Sequence, residues 1–213
     1  MSIKKAALVG SLIAATLGVT SNAQAFDASK LTMRVRIIDI VPADKSDAIP
    51  GLVVKDGIDL SNKVAPDIDF EYALSPHVGL ELLLSVPQRH DVTAHLEGGG
   101  TYNLGSVQHL PPTLTAKYYF LTDKVRPYVG GGLNFTWITD DALYLAGTHL
   151  DIDRTSIGVA LQAGVDVSLT GKWSLSIDAK KADISTDVSL HGTKLSTVSV
   201  DPYIYGAGIG YRF

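Results

Sequence analysis

The sequence of 213 residues contains no cysteine and no long uninterrupted run of apolar residues. Without cysteine the chain cannot form disulfides, thiolate metal sites or a cysteine nucleophile. Because a membrane-spanning helix needs about 20 consecutive apolar residues, we do not expect a helical membrane protein. The 18 basic and 22 acidic residues give a net charge of −4. Nucleic-acid-binding proteins carry concentrated basic surface, so no nucleic-acid partner is expected.

The first 25 residues have the three parts of an export signal. Lys4 and Lys5 precede an apolar stretch at residues 6–19, and Ala23-Gln24-Ala25 has the small-x-small form of a signal-peptidase site. The alternative is an uncleaved anchor helix, but about 14 apolar residues are too few to cross a hydrocarbon core of about 30 Å. We therefore predict a signal peptide at residues 1–25 and a mature protein that begins at Phe26.

Apolar residues alternate with polar or small ones in eight segments of the mature chain, and no segment keeps helical spacing. In the longest segment, residues 157, 159, 161, 163, 165, 167 and 169 are all apolar. Period two is typical of β-strands that have two different faces. The predicted strands are residues 31–37, 67–74, 78–85, 113–120, 128–137, 156–169, 173–180 and 203–213.

The connections between these strands alternate between long and short. The long ones are residues 43–66, 87–110, 139–153 and 182–197, and the short ones are residues 75–77, 121–126 and 170–172. Long loops on one rim and tight turns on the other are typical of bacterial outer-membrane barrels. The sequence thus predicts an all-β fold: an eight-stranded antiparallel transmembrane β-barrel at residues 26–213, with long extracellular loops and short periplasmic turns.

A soluble lipocalin-like barrel is the alternative, because periodicity does not say which face points inward. The face opposite the apolar one carries small residues such as Gly158, Gly164, Gly206 and Gly210, which suit a crowded interior better than a solvated surface. Aromatic residues near strand ends are expected at the membrane interface. They are Tyr72, Phe120, Tyr128, Trp137, Trp173, Tyr203 and Phe213.

Charged residues on the inward face are predicted to form a belt across the lumen. If residues 75–77 form a turn, Glu71 lies opposite Glu81, and two such carboxylates repel each other unless cations lie between them. Cations on neighbouring strands can reach these carboxylates, so the belt is expected to cross a barrel only wide enough for side chains. Its members are Arg34, Arg36, Glu71, Glu81, Lys117, Asp166, Asp178 and Lys180.

Other candidate sites in the sequence favour structural interpretations. The spacing of His90, His95 and His109 fits no tight set of metal ligands, so we interpret them as surface or rim residues. A second group, Asp56, Asp59, Asp67 and Asp69, lacks the order of a calcium loop and reads as a solvated acidic loop. We expect no metal and no cofactor. We also expect no enzymatic activity, because the only serine–histidine neighbours on the predicted long loops are Ser106 with His109 and Ser189 with His191.

Five segments spread over the mature chain carry motifs in a distinctive order. They are VGLELL at 78–83 followed by Pro87 and Arg89-His90, HLPPTLTAKYYF at 109–120, RPYVGGGLNFT at 126–136, QAGVD at 162–166, and DPY at 201–203 leading to GYRF at 210–213. Together they resemble the OmpW family of bacterial outer-membrane proteins. The resemblance implies a bacterial outer-membrane barrel that contacts membrane lipid and lipopolysaccharide, with a narrow apolar pocket for passive uptake of small hydrophobic molecules. Because the charged belt would stop such a molecule from passing straight through, we expect it to leave sideways near Pro87 and Pro111.

The resemblance also suggests roles for single residues. Leu83 matches a leucine that helps form a hydrophobic constriction in the family, and alternation independently points it inward. Phe213 resembles the terminal aromatic signal read by the outer-membrane assembly machinery. The chain departs from the family at Lys180, on a strand where members often carry bulky aromatic residues, which puts an aromatic gate in doubt. The alternative function is a structural or adhesive barrel with a packed lumen that acts through its extracellular loops.

Overall fold

The structure, a computed structural model, describes residues 26–213, and the predicted signal peptide lies outside the described residues. In the described part, no helix is both long and apolar enough to cross a membrane. After a 3₁₀ turn at Ala28–Lys30, residues 26–213 form sixteen strands: β1 Leu31–Val41, β2 Lys45–Ser46, β3 Val53–Leu60, β4 Lys63–Ala73, β5 Val78–Ser85, β6 Gln88–Leu96, β7 Thr101–Leu110, β8 Thr113–Tyr119, β9 Val125–Leu145, β10 Thr148–His149, β11 Asp151–Ile152, β12 Thr155–Ser168, β13 Trp173–Ala182, β14 Ser185–Leu190, β15 Thr193–Ser199 and β16 Tyr203–Arg212.

Eight of the strands between residues 26 and 213 close an antiparallel barrel. Their order around the wall is β1, β4, β5, β8, β9, β12, β13 and β16, and β16 pairs with β1 to complete the circle. The three short connections and both ends of the described chain lie on one rim, where the backbone N–H of Phe213 donates to the carbonyl of Leu31 at 3.0 Å. The predicted eight-stranded antiparallel barrel with tight turns on one rim is confirmed.

Alternation decides which side chains face the lipid and which face the lumen. On β12, Leu161 is 59% exposed whereas its neighbour Gln162 is 5% exposed. The same pattern holds around the wall, with apolar residues outside and polar or charged residues inside. A soluble barrel has the opposite arrangement, so the lipocalin-like alternative is excluded. Glycine makes room for the large inward side chains: a Cβ at Gly208 of β16 would lie 2.5 Å from Cγ of Arg36.

The long connections are not irregular loops but further strands on the extracellular side. Strand β9 continues above the barrel and pairs with β7, which pairs with β6, and β6 pairs with β3. A second sheet has the order β11, β14, β15, β2. Pairing shifts after Val92 in β6 and after Gln108 in β7. The first shift leaves Leu104 of β7 unpaired and breaks the period-two pattern of that strand. Burial on β6 does alternate, but its first two inward residues, Gln88 and His90, are polar, so a hydropathy pattern does not reveal the strand.

The extracellular sheets enclose a hydrophobic core of their own. It consists of Val53, Ile58, Leu60, Val92, Ala94, Leu104, Val107, Ile138, Leu143, Leu150, Val188 and Val198. Burying such side chains stabilises the extracellular layer by roughly 1.5–3 kcal/mol each relative to full exposure. The molecule therefore has two layers, a barrel with a polar interior and an extracellular β-layer with an apolar one.

Most of the aromatic residues predicted for the membrane interface are outward and exposed, and Trp137 and Trp173 are examples. The prediction is wrong for Tyr128. It lies on the inward face of β9, is buried, and packs its ring against Tyr119 with 5.3 Å between ring centroids. Its position near a strand end suggested the interface, but the alternation with its neighbour Val129 places it inside.

The lipid-facing surface predicts a large penalty for a charge at Leu161. We expect Leu161→Arg to lower the free energy of unfolding by about 2–4 kcal/mol, because an arginine near the bilayer midplane must leave water. The matched control is Thr170→Arg in the exposed turn after β12, with an expected change within about 0.5 kcal/mol. Urea-induced unfolding in lipid vesicles, followed by tryptophan fluorescence, measures both. Equal losses for the two variants would contradict the assigned orientation.

Candidate functional site

Ten buried charged side chains meet inside the barrel, and we call them the charge network. The structure places all eight residues of the predicted belt there, together with two that the belt did not include, Asp67 and Asp69. Four cations face six carboxylates: Arg34, Arg36, Lys117 and Lys180 against Asp67, Asp69, Glu71, Glu81, Asp166 and Asp178. In an interior without bulk water such groups are stable only when paired and hydrogen-bonded.

Arg34 of β1 connects opposite walls of the barrel. Its Nη1 donates to Oδ1 of Asp69 at 2.9 Å, and Asp69 is its direct neighbour in the β1–β4 register. Its Nη2 donates to Glu71 at 2.8 Å and to Asp166 at 2.7 Å. Since Asp166 belongs to β12 and β12 does not pair with β1, the guanidinium spans the lumen at this point.

Arg36 makes a second cross-lumen connection. Its Nε and Nη2 donate to the two carboxylate oxygens of Asp67 at 2.9 and 2.6 Å, and its Nη1 donates to Asp178 of β13. The fork-like bidentate geometry is the strong form of this ion pair. The interpretation of Asp67 and Asp69 as part of a solvated acidic loop was therefore wrong. Both share the inward face of β4 with Glu71, a period-two signal that the sequence already contained.

The two lysines neutralise the opposed glutamates. Glu71 and Glu81 are direct neighbours in the β4–β5 register, as predicted. Lys117 pairs with both and lies 3.1 Å from Oε2 of Glu71. Lys180 lies 3.4 Å from Glu81 and 3.2 Å from Asp178. The lysine at position 180 thus belongs to the charge network rather than to an aromatic gate.

Tyrosines complete the network toward the periplasmic rim. The hydroxyl oxygen of Tyr119 lies 2.7 Å from the carboxylate of Glu71 and 2.9 Å from that of Asp166, so its single proton can be donated to either. Arg126, next to the periplasmic turn, lies over the Tyr119 ring with 3.9 Å from Cζ to the centroid. Sequence reasoning placed Tyr119 on the polar face but gave it no role. These contacts fill the lower lumen with side chains.

Leu83 lies beside the upper part of this network, on the rung between Glu81 and Ser85 of β5. It is buried and has Asp69 and Thr113 as register neighbours. Nearby hydroxyl and amide groups bond to one another: Asn134 donates to Thr113 at 2.8 Å, and Thr136 donates to Asn134 at 2.7 Å. Leu83 is thus an apolar group in an otherwise hydrogen-bonded layer.

An apolar cavity of about 80 Å³ lies inside the extracellular layer. Twenty-three residues line it, and none of them is charged. Eighteen are aliphatic, including Val53, Ile138 and Leu150 from the extracellular core. The polar lining residues are His109, Thr136, Ser156, Ser185 and Thr186. Such a lining, mostly apolar with a few polar groups, is typical of sites for small hydrophobic ligands.

Two of the three histidines interpreted as surface or rim residues are buried, so that prediction was wrong for them. His109 lines the cavity, and the ring of His90 stacks on it with 5.1 Å between centroids. Burial lowers the pKa of His90 and lowers that of His109 to about 4, so both imidazoles are neutral at pH 7. His95 is partly exposed and contacts Asp59 at 2.7 Å. The sequence motifs that contain His90 and His109 did not indicate that these residues are buried, because strands β6 and β7 were not predicted.

The barrel wall is interrupted between β5 and β8. Their pairing ends at Leu83 and Thr113, and the pairing of β6 with β7 begins at Gln88 and His109. Residues 84–87 and 110–112 lie between these two ladders. Proline at 111 and 112 cannot donate to a ladder, which explains locally why pairing stops. The pair Gln88–His109 therefore borders the interruption on its extracellular side. His109 also lines the cavity.

The serine and histidine neighbours weighed as a catalytic pair do not come together on β7. Ser106 and His109 are three residues apart, so they lie on opposite faces of the strand. Ser106 accepts a hydrogen bond from Arg89 at 2.9 Å, whereas His109 borders the cavity. This arrangement does not supply a nucleophile with a base.

The charge network predicts a strong stability effect at Arg36. We expect Arg36→Met to lower the free energy of unfolding by about 3–5 kcal/mol, because Asp67 and Asp178 would lose their buried partner. The control is Arg89→Met, which breaks a half-exposed ion pair with Asp140 and should cost about 0–1 kcal/mol. Urea unfolding in vesicles measures both variants, and a small effect at Arg36 would show that the network is hydrated rather than closed.

Comparisons with known proteins agree with this architecture. The model of the OmpW family matches residues 27–213. Outer membrane protein W of Escherichia coli K12 is 30% identical over 210 residues, which cover 94% of this chain and 96% of that protein. The dibenzothiophene metabolism operon protein PahQ of Pseudomonas aeruginosa is 30% identical over 164 residues, 73% of this chain and 74% of that protein.

A solved structure extends the comparison to the fold. The crystal structure of the outer membrane protein OprG from Pseudomonas aeruginosa superposes with a TM-score of 0.72 at 25% sequence identity, and the match covers 86% of this chain and 95% of that chain. With the match of the family model over nearly all of the described residues, these findings show that the chain belongs to the OmpW family and is a bacterial outer-membrane protein.

Proposed function

We propose that this barrel takes up small hydrophobic molecules passively through its apolar cavity and releases them sideways into the outer membrane. The observation that carries the proposal is the stacking of two opposite environments in one lumen. An uncharged apolar cavity lies on the extracellular side, and a closed charge network lies beneath it.

The cavity accounts for capture. A hydrophobic molecule gains about 25 cal/mol for each Å² of apolar surface that it removes from water. The cavity lies among the extracellular strands, so a molecule would reach it before the membrane. The relative PahQ takes its name from a dibenzothiophene metabolism operon, which supports fused aromatic compounds as a class of cargo.

The charge network accounts for the direction of release. Straight passage to the periplasm requires separation of buried pairs such as Arg34–Asp166 and Arg36–Asp178. Removal of one partner from such a pair costs about 3–5 kcal/mol, and an apolar molecule offers no replacement. Sideways release through the interrupted ladder at residues 84–87 and 110–112 breaks no charge pair. This route also ends in lipid, where the molecule is soluble.

Contacts of the outer surface complete the proposal. The outward-facing apolar side chains of the barrel contact membrane lipid, and the extracellular layer lies at the level of lipopolysaccharide. Phe213 is exposed beside Tyr211, with 5.5 Å between their ring centroids, and serves as the signal for the assembly machinery. None of these roles involves a chemical reaction on the cargo.

A structural or adhesive barrel is the second candidate. The observation that favours it is the side-chain filling of the lower lumen, including Tyr119 and the bidentate pair of Arg36 with Asp67. Under this candidate the cavity would be only a packing defect of the extracellular layer. A structural barrel would not take up hydrophobic molecules, so variants that lose uptake distinguish the two candidates.

The constriction proposed at Leu83 predicts an uptake defect without a folding defect. Leu83→Asn places an uncharged polar group in the path, and we expect uptake of naphthalene into cells to fall about fivefold or more, in line with the desolvation cost of an amide. Leu80→Asn is the matched control, because Leu80 lies on the same strand below the interruption and its side chain faces outward. Heat-modifiable gel migration checks assembly of both. Normal uptake by a fully assembled Leu83→Asn barrel would argue against the constriction.

The lateral route predicts that a covalent lock across the interruption stops uptake. Continuation of the β5–β8 register brings Ser85 opposite Pro111, so we propose the double variant Ser85→Cys/Pro111→Cys in this cysteine-free chain. We expect naphthalene uptake to be lost after oxidation, or after cross-linking with a short bismaleimide, and to return on reduction of the disulfide.

The control lock joins Leu80→Cys with Ala116→Cys, a directly paired position in the same two strands below the interruption. This lock should leave uptake unchanged, because the ladder there is already closed. Uptake that continues in the barrel locked at residues 85 and 111 would overturn the lateral route.

A further inference from the structure

His109 differs from the other polar residues that line the cavity. Thr136 donates to Asn134 at 2.7 Å, Ser156 accepts from the backbone N–H of Ser185 at 3.1 Å, and Thr186 donates to a carbonyl at 3.1 Å. The Nδ1 atom of His109 is buried and has no hydrogen-bond partner among the described residues. Burial of an unpartnered polar atom is costly and is rare in native proteins. His109 is therefore a polar group of the cavity wall that lacks a partner.

His90 holds this ring in place from behind. Its Nδ1 lies 2.6 Å from the carbonyl oxygen of Ser61, which can only accept, so Nδ1 carries the proton. Its ring stacks on His109 with an angle of 12° between the planes. Because Nε2 of His90 also lacks a partner among the described residues, the stacked pair has a second unused nitrogen. The pair is fixed by packing but unsatisfied in hydrogen bonding.

The geometry points to His109, supported by His90, as the polar recognition group of the cavity, and to apolar molecules with one hydroxyl group as its preferred ligands. This inference rests on the proposed function and narrows its class of cargo to alcohols and phenols with an aromatic or aliphatic body. The ligand body occupies the aliphatic part of the cavity, and its hydroxyl bonds to the imidazole.

A hydroxyl group fits this site better than other polar groups. It both donates and accepts, so it can bond to whichever ring nitrogen of a neutral imidazole faces it. A carboxylate would bring a charge into a cavity whose lining contains no charged residue, and the neutral histidines would not compensate it. A plain hydrocarbon would offer the imidazole no hydrogen bond. The expected order of affinity is therefore hydroxyl first, hydrocarbon second and carboxylate last.

The location of the pair also connects the cavity with the lateral route. His109 is paired with Gln88 on the first rung above the interruption of the wall. A hydroxyl held there would orient its apolar body between the cavity and the opening at residues 84–87 and 110–112. Recognition and release would then use the same rung.

Three matched probes test the inference: naphthalene, 2-naphthol and 2-naphthoate. Binding is measured with the full-length mature barrel in lipid nanodiscs at pH 7, and partition into protein-free nanodiscs is subtracted. We expect the barrel to prefer 2-naphthol over naphthalene about tenfold, the effect of one buried hydrogen bond. His109→Phe keeps the ring but not its nitrogens, and should abolish this preference while changing naphthalene binding less than about twofold. His109→Asn, which returns a polar group near the position of Nδ1, should restore part of it.

His95→Phe is the control, because this partly exposed histidine on β6 lies away from the cavity and should leave both affinities unchanged. If His109→Phe fails to assemble, the imidazole ¹⁵N resonances of the unmodified barrel decide: those of His109 should shift with 2-naphthol and not with naphthalene. Binding of naphthalene without any preference for 2-naphthol, or a preference that survives His109→Phe, would overturn this inference alone. Failure of all three probes to bind would overturn the proposed uptake function as well.

Discussion

The narrowness of an eight-stranded barrel is the constraint on which the rest of the structure depends. Its interior is only wide enough for side chains, so each inward charge must find a partner among the other side chains of the lumen rather than in water. Arg34 and Arg36 do this by reaching from β1 to carboxylates on β12 and β13. Glycines on facing strands, such as Gly208 and Gly79, leave the volume that the large side chains of Arg36 and Glu71 occupy. The contacts that pair the buried charges therefore also close the lumen.

Because the charge network closes the lower lumen, the upper part of the molecule is where a ligand would bind. The strands continue beyond the membrane and build a second interior, which is apolar. The polar interior of the barrel and this apolar interior are stacked along one axis. The single interruption that we describe in the wall lies where these environments meet, next to Leu83 and His109. In the proposed function, cavity, constriction and interruption are consecutive features of one path, and the charge network blocks the continuation of that path to the periplasm.

The sequence predicts the barrel well because period two records directly which face meets lipid. Strand number, turn positions and the inward direction of Leu83, Lys117 and Lys180 all follow from alternation. The prediction that Asp67 and Asp69 belong to a solvated loop was wrong, because it gave composition more weight than periodicity. Both residues alternate with outward-facing residues. The burial of His90 and His109 could not be read from the sequence. It depends on β6 and β7 folding over the barrel, and the inward positions 88, 90 and 109 carry polar residues that a hydropathy pattern does not mark.

The most direct test of the account asks where a captured molecule appears first. Vesicles with lipopolysaccharide in the outer leaflet and the barrel inserted in one orientation would carry one energy-transfer acceptor in the lipid or another in the enclosed water. When 2-naphthol is added outside, the account predicts that the barrel accelerates transfer to the lipid acceptor. The signal from the enclosed acceptor should follow later, at the rate at which the compound leaves a protein-free membrane. An enclosed signal that rises before the lipid signal, or together with it, would mean that the compound passes straight through the charge network, and would contradict the account.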